Sequence, residues 1–184
     1  MTTRVRLTYE DYAALPDDGR RYELHEGELS ATPAPGIDHQ DILGNLFVIV
    51  RGHVKARVLG KVLVSPVDCI LENITVVQPD LVFVEMARLS VLSERAIEGP
   101  PTLAVEISSP SSAGIDRRRK LQLYARYAVP FYWIVDPHAR TIEAHQFVDG
   151  RYRDVGSLSG ATMMSLPPFP DLILDPAQIW PGQP

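Results

Sequence analysis

One cysteine among 184 residues, Cys69, leaves no partner for an intrachain disulfide and cannot build a four-cysteine zinc site. Long apolar runs are missing too, since none approaches the roughly 20 residues of a membrane span. The stretch Met1 to Leu7 carries two arginines but no apolar run behind them. A secretory leader is therefore not expected, and the default address is the cytoplasm. Positive charge is in deficit, with 18 Lys+Arg against 23 Asp+Glu, a net charge of −5 and a pI of 5.5. That balance argues against broad, nonspecific coating of nucleic acid, though not against a local basic cleft. The common catalytic and nucleotide-binding signatures are absent as well. His25, His39, His53, His138 and His145 never fall at His-Glu-x-x-His spacing. Gly60-Lys61 lacks both the earlier glycine and the following Ser or Thr of a phosphate-binding loop. Neither Gly-x-Ser-x-Gly nor Gly-x-Gly-x-x-Gly occurs.

What is there is a globular composition, 45% hydrophobic and 22% charged, which separates the chain from disordered sequences. At this length folding buries roughly 70% of the unfolded surface, enough for a core without staples. A single domain over residues 1–184 is expected, with its core at about 20–156. Six of the 16 prolines follow residue 166. The segment 157–184 nevertheless holds Phe169, Leu172, Ile173, Leu174, Ile179 and Trp180, too many large apolar groups for a disordered tail, so it should pack back on the core.

Thr8 and Asp11 predict a capping-box variant opening a short helix from Tyr9 to about Leu15, stopped by Pro16. Tyr22-Glu23-Leu24 and Glu28-Leu29-Ser30 flank His25-Glu26-Gly27 as a hairpin. Ile42, Leu43, Leu46, Phe47, Val50, Val54 and Val58 repeat at helical spacing, so one long helix is expected from about His39 to Arg57, with Asp38 as N-cap and Gly60 as C-cap. The period then shifts. Strands are predicted over Lys61 to Ser65, Val67 to Leu71, Leu81 to Val84 and Leu103 to Ser108, with a polar, partly helical connection from Met86 to Pro101. Residues 108–112 read as a loop, Asp116 to Ala128 as a helix and Phe131 to Val135 as a strand. Thr141 to Phe147 and Tyr152 to Val155 form a hairpin turning at Asp149-Gly150. The fold class is α/β: a mixed sheet flanked by helices, preceded by the short helix and hairpin.

Two carboxylates stand out. Pro79-Asp80 opens one apolar strand, and Glu106 interrupts another, Leu103-Ala104-Val105-Glu106-Ile107-Ser108. A carboxylate inside a central strand is costly unless protonated, paired with a cation or bound to a metal. Two readings are open. The pair can form a hard oxygen site of the kind Mg²⁺ prefers, or Asp80 can cap a strand end while Glu106 pairs with an arginine. Lys120 follows Asp116-Arg117-Arg118-Arg119 early in the next helix. It can face inward to reach the carboxylates, or pair outward with Asp116 at i,i+4. Arg117, Arg118 and Arg119 are the densest positive patch, suited to phosphates or to a solvated helix face. His39 can touch substrate or a metal-bound water, or be a plain polar residue of a first turn. Glu23, Glu26 and Glu28 can supply a third carboxylate or lie on the surface.

Together these blocks resemble the Uma-two-type family of restriction-endonuclease-like proteins. The matching pieces are Tyr22-Glu23-Leu24-x-x-Gly27-Glu28-Leu29, His39, Pro79-Asp80-Leu81, Val105-Glu106-Ile107-x-Ser109-Pro110-Ser111, Asp116-x-x-x-Lys120-x-x-x-Tyr124 and Pro130-x-Tyr132-Trp133-Ile134-Val135-Asp136-Pro137. The resemblance runs from about Leu7 to Trp180, nearly the whole chain. The resemblance implies a PD-(D/E)XK nuclease core, with Asp80 and Glu106 as the acidic metal ligands. The motif lysine would stand two residues after Glu106, where this chain has Ser108, and the resemblance implies that Lys120 replaces it from the following helix. Glu23, Glu28 and His39 match family positions as accessory residues. The implied activity is Mg²⁺-dependent hydrolysis of DNA phosphodiesters, with Mn²⁺ as a substitute, by a homodimer. Two alternatives remain open: a non-catalytic nucleic-acid or protein-binding module on the same fold, and a metal-dependent phosphohydrolase of small esters.

Overall fold

The computed structural model describes residues 5–16, 18–108 and 113–182. The side chains of residue 32 and residues 113–117 lie outside that description, as do residues 109–112 of the loop expected at 108–112. Helix α1 (Tyr9–Ala13) opens on the expected reciprocal cap, the Thr8 N–H donating to Asp11 Oδ2 at 2.8 Å and the Asp11 N–H to Thr8 Oγ1 at 3.4 Å. Strands β1 (Arg21–His25) and β2 (Glu28–Thr32) form the hairpin. Its two-residue turn needs positive φ at both positions, and Glu26 and Gly27 adopt 53° and 86°.

Helix α2 (Ile37–Ala56) differs from expectation at both ends. Gly36, not Asp38, is the N-cap, and Asp38 sits in the first turn, where its charge favours the helix N-terminus. At the other end Val58 takes the left-handed conformation (φ 56°) and the Leu59 N–H returns to the Val54 carbonyl at 3.0 Å, so the helix closes before Gly60 is reached. Gly60 instead begins β3 (Gly60–Val64) at φ 150°, where an added Cβ would collide with the Val84 carbonyl of the neighbouring strand. Backbone cannot swing aside as a side chain can. Gly60→Ala is therefore expected to lower unfolding free energy by about 2 kcal/mol or more, read by chemical denaturation. An unchanged midpoint would contradict this strand pairing.

The chain continues through β4 (Asp68–Glu72), β5 (Thr75–Val77), β6 (Leu81–Glu85), a 3₁₀ turn (Met86–Val91), β7 (Ala96–Glu98) and β8 (Leu103–Ile107). Helix α3 (Ala113–Arg126) leads to β9 (Phe131–Asp136), and β10 (Thr141–Val148) and β11 (Arg151–Leu158) form a hairpin at Asp149-Gly150. Strands β12 (Met164–Leu166) and β13 (Phe169–Leu174) and the short α4 (Pro176–Ile179) complete the described chain. Among the described residues the strands divide into more than the one mixed sheet expected. A six-stranded sheet has the order β11-β10-β9-β8-β6-β3, a five-stranded one β2-β1-β5-β4-β7, and β12 and β13 pair by themselves. In the six-stranded sheet only β8 and β9 run parallel, the geometry in which α3 serves as the crossover.

The central strands β6, β8 and β9 are covered on both faces, which explains their unbroken apolar runs. Leu81, Phe83, Leu103, Val105, Trp133 and Val135 pack with α2 residues Ile42, Leu46, Val50 and Val54. Leu166, Phe169, Leu174 and Trp180 of the C-terminal segment join this cluster, and the Trp133 indole N–H donates to the Pro167 carbonyl at 2.7 Å. Val82, Val84, Ala104, Tyr132 and Ile134 face the other way, toward α3 and the five-stranded sheet. The period of two puts Asp80 and Glu106 on this second face. Among the described residues no helix is long and apolar enough to cross a membrane.

Candidate active site

Antiparallel pairing of β6 with β8 aligns Leu81 with Val105. One step further along the same register, Asp80 stands across from Glu106. The two carboxylates thus meet at the ends of adjacent central strands, both buried, at 5% and 8% exposure. Asp80 is fixed by the Ile107 backbone N–H, which donates to Oδ2 at 2.8 Å. His39 Nε2, from the first turn of α2, lies 3.2 Å from the same oxygen. The Arg21 guanidinium is 3.8 Å from Oδ1. Glu106 accepts the Tyr124 hydroxyl at Oε1 and the Lys120 ammonium at Oε2, both at 2.6 Å. Lys120 therefore turns inward. The side chain of Asp116, its alternative partner, lies outside the described ones.

Strand β1 brings a third carboxylate. Glu23, also buried, accepts the Gln78 N–H at Oε1 (2.8 Å), and its Oε2 lies 3.2 Å from His25 Nε2. The Lys120 ammonium is 3.9 Å from Glu23 Oε1. Glu106 and Glu23 thus flank one lysine, and their environments push the two carboxyl groups in opposite directions. Burial pushes Glu106 up to about 7, the Asp80 and Glu23 charges adding to the shift and Lys120 opposing it. Burial also resists ionisation of Glu23, but the Lys120 charge, the His25 hydrogen bond and charge, and the Gln78 N–H outweigh it and hold Glu23 down at about 2. For Lys120 burial disfavours the charge, yet Glu106 and Glu23 overcome it and keep the ammonium protonated well above the usual lysine range. Tyr124 is pushed far up by burial and by the carboxylates, so its hydroxyl stays a donor.

A family model described as "Putative restriction endonuclease", Uma2, matches residues 9–177. The chain belongs to the Uma2 family. Its fold is shared with the crystal structure of "a putative nuclease belonging to DUF820" from Anabaena variabilis ATCC 29413, at a TM-score of 0.77 and 17% identity, over 94% of this chain and 97% of that one. No curated protein matches the chain.

In this Uma2 chain the residues singled out from sequence separate into groups. Asp80, Glu106, Lys120, Glu23 and His39 converge. Glu28 is exposed opposite His25 in the hairpin and, with Arg119, Arg6 and His25, lines a cleft of about 620 Å³ beside them. Glu26 pairs with Arg126, tying the hairpin turn to α3. Arg118 is exposed, and the Arg117 side chain lies outside the described ones. Four residues of the cluster were not anticipated as site residues: Arg21, His25, Gln78 and Tyr124. Two carried a readable signal. Tyr124 is four residues after Lys120 on a helix, and His25 two after Glu23 on a strand, so each shares its neighbour's face. Gln78 acts through its backbone N–H and also bridges Tyr12 (3.2 Å) and Asp68 (2.8 Å) through its amide, a role that spacing does not announce. Among the described residues no three or more His, Cys, Asp or Glu side chains are grouped so that together they could hold a metal ion. Two opposed carboxylates match instead the donor set of an ion that keeps several waters and completes its shell with substrate oxygens, as Mg²⁺ does.

Proposed function

We propose that this Uma2 protein is a Mg²⁺-dependent nuclease hydrolysing the phosphodiester bonds of DNA. The observation that carries the reading is the face-to-face burial of Asp80 and Glu106 on adjacent central strands with the Lys120 ammonium against Glu106. An uncompensated carboxylate pair in a sheet would be strongly unfavourable, so a site that holds one is built for cations. The family description, and the fold shared with the protein described as "a putative nuclease belonging to DUF820", support the same reaction class.

Asp80 and Glu106 would hold the ion, and bound there Mg²⁺ would supply Lewis-acid polarisation of the scissile phosphate. The chain's own groups do the rest. Ile107 N–H and His39 fix the orientation of Asp80, and Tyr124 fixes Glu106, so neither carboxylate must reorganise during reaction. Lys120, supplied by α3 where Ser108 lacks an amine, orients the attacking water or offsets charge growing on the phosphate. Arg118 and Arg119, exposed on the N-terminal half of the same helix, would contact flanking phosphates.

The test is incubation of the purified protein with supercoiled plasmid in Mg²⁺ or Mn²⁺, with chelator as control and with RNA and small phosphate esters in parallel. Metal-dependent nicking or linearisation of the plasmid is expected. Retention of DNA in a gel shift without any product would replace the nuclease by a binding module. Turnover confined to small esters would make it a phosphohydrolase.

A further inference from the structure

Lys120 has two carboxylates within reach, and they are held differently. Glu106 Oε1 is occupied by Tyr124, so Oε2, the oxygen facing Lys120, is the one left for another cation. Glu23 is anchored at both oxygens, by the Gln78 N–H and by His25, and stands 3.9 Å from the ammonium. A divalent ion arriving at Glu106 would meet the lysine in its place and repel it. Moving the ammonium by about 1 Å brings it within hydrogen-bond range of Glu23 Oε1. We infer that Glu23 is a positioning residue: the docking anion that receives Lys120 when a divalent cation takes Glu106 Oε2. The inference rests on the metal reading above. Without Glu23 the displaced ammonium would be a buried, unpaired charge, which disfavours displacement and hence metal binding. With no lysine to relocate, Glu23 has nothing to receive.

The discriminating experiment is a double-mutant cycle on Mn²⁺ affinity, measured by calorimetry at pH 8 on the full chain, with Glu23→Gln made in the wild type and in Lys120→Met. Thermal unfolding checks that each variant is folded. Glu23→Gln is expected to weaken Mn²⁺ about tenfold or more with Lys120 present. In Lys120→Met it should cost less than about threefold. An equal or larger loss without the lysine would mean that Glu23 acts only through its negative charge, and the inference falls. A crystal of the wild type soaked in Mn²⁺ gives an independent readout should a variant fail to fold. The expected density shows the ion at Asp80 and Glu106 with the Lys120 ammonium moved onto Glu23. An ion bound there with Lys120 still on Glu106 overturns the inference alone, whereas no Mn²⁺ bound to the wild type overturns the metal reading with it.

Discussion

Asp80→Asn and Glu106→Gln, each made alone, are expected to lower metal-dependent plasmid cleavage by about a thousandfold or more, while the protein remains folded. An amide presents a neutral oxygen where the ion needs a charged one, and each carboxylate is half of the acidic donor pair. At position 80 the amide keeps the local hydrogen bonds, because the Ile107 N–H and His39 both meet one oxygen, which the Asn carbonyl can replace. Gln at position 106 can accept from Tyr124 or from Lys120 but not from both, so this variant also loses stability. Asp80→Asn is therefore the variant in which loss of rate is separable from loss of structure. Single-turnover cleavage beside a thermal melt makes the measurement, with the alanine variants as harsher versions. Cleavage at wild-type rate with both carboxylates removed would leave the nuclease assignment without a site.

The second large effect concerns stability. Lys120→Met is expected to lose about 3 kcal/mol of unfolding free energy at pH 8, because it leaves a buried carboxylate without its cation. The deficit should shrink on acidification to pH 5. In the wild type the Glu106 pKa is raised from 4.5 to about 7, so between those values the folded state holds a proton that the unfolded state has lost. Its contribution to stability is present below pH 4.5 and lost as pH rises through about 7. Removing Lys120 raises this group further and extends the loss above pH 7, while below it the protonated Glu106 needs no partner. Glu23 runs the opposite way: its lowered pKa stabilises above pH 4.5, and the gain is lost as pH falls through about 2. Lys120 is the main group that lowers it, so the variant also forfeits part of that gain at neutral pH. Denaturant titrations at the two pH values measure the difference. A deficit that does not change between pH 5 and 8 would show that the lysine stabilises by packing rather than by charge.

The long periodic elements were legible because each buries one continuous stripe. Ile42, Leu46, Val50 and Val54 place α2 within two residues of its observed start, and the apolar runs of β6, β8 and β9 announce strands covered on both faces. The turn at Asp149-Gly150 was equally plain, since few residue pairs tolerate two consecutive positive φ values. The three-residue strands β5, β7 and β12 were not legible, because so short a segment has no period to read. The helix ends were misread for a related reason. A valine at φ 56° ends α2 against its own preference, held there by the Leu59 return bond, so the nearby glycine looked like the cap while serving the close approach of β3 to β6.

By itself the sequence determined that an α/β chain without an intrachain disulfide carries one carboxylate, Glu106, inside an apolar strand and another, Asp80, at the head of a second, because the cost of a charge in such a strand is local and visible in the residues on either side of it. Only the tertiary structure decided who answers that charge. Lys120 turned inward to Glu106, His39 reached Asp80 from a helix 41 residues away in sequence, and β1 delivered Glu23 and His25 to the same place. Those meetings depend on strand register and on the angle at which α3 and the hairpin cross the sheet, and these follow from packing summed over both faces rather than from any one stretch of chain.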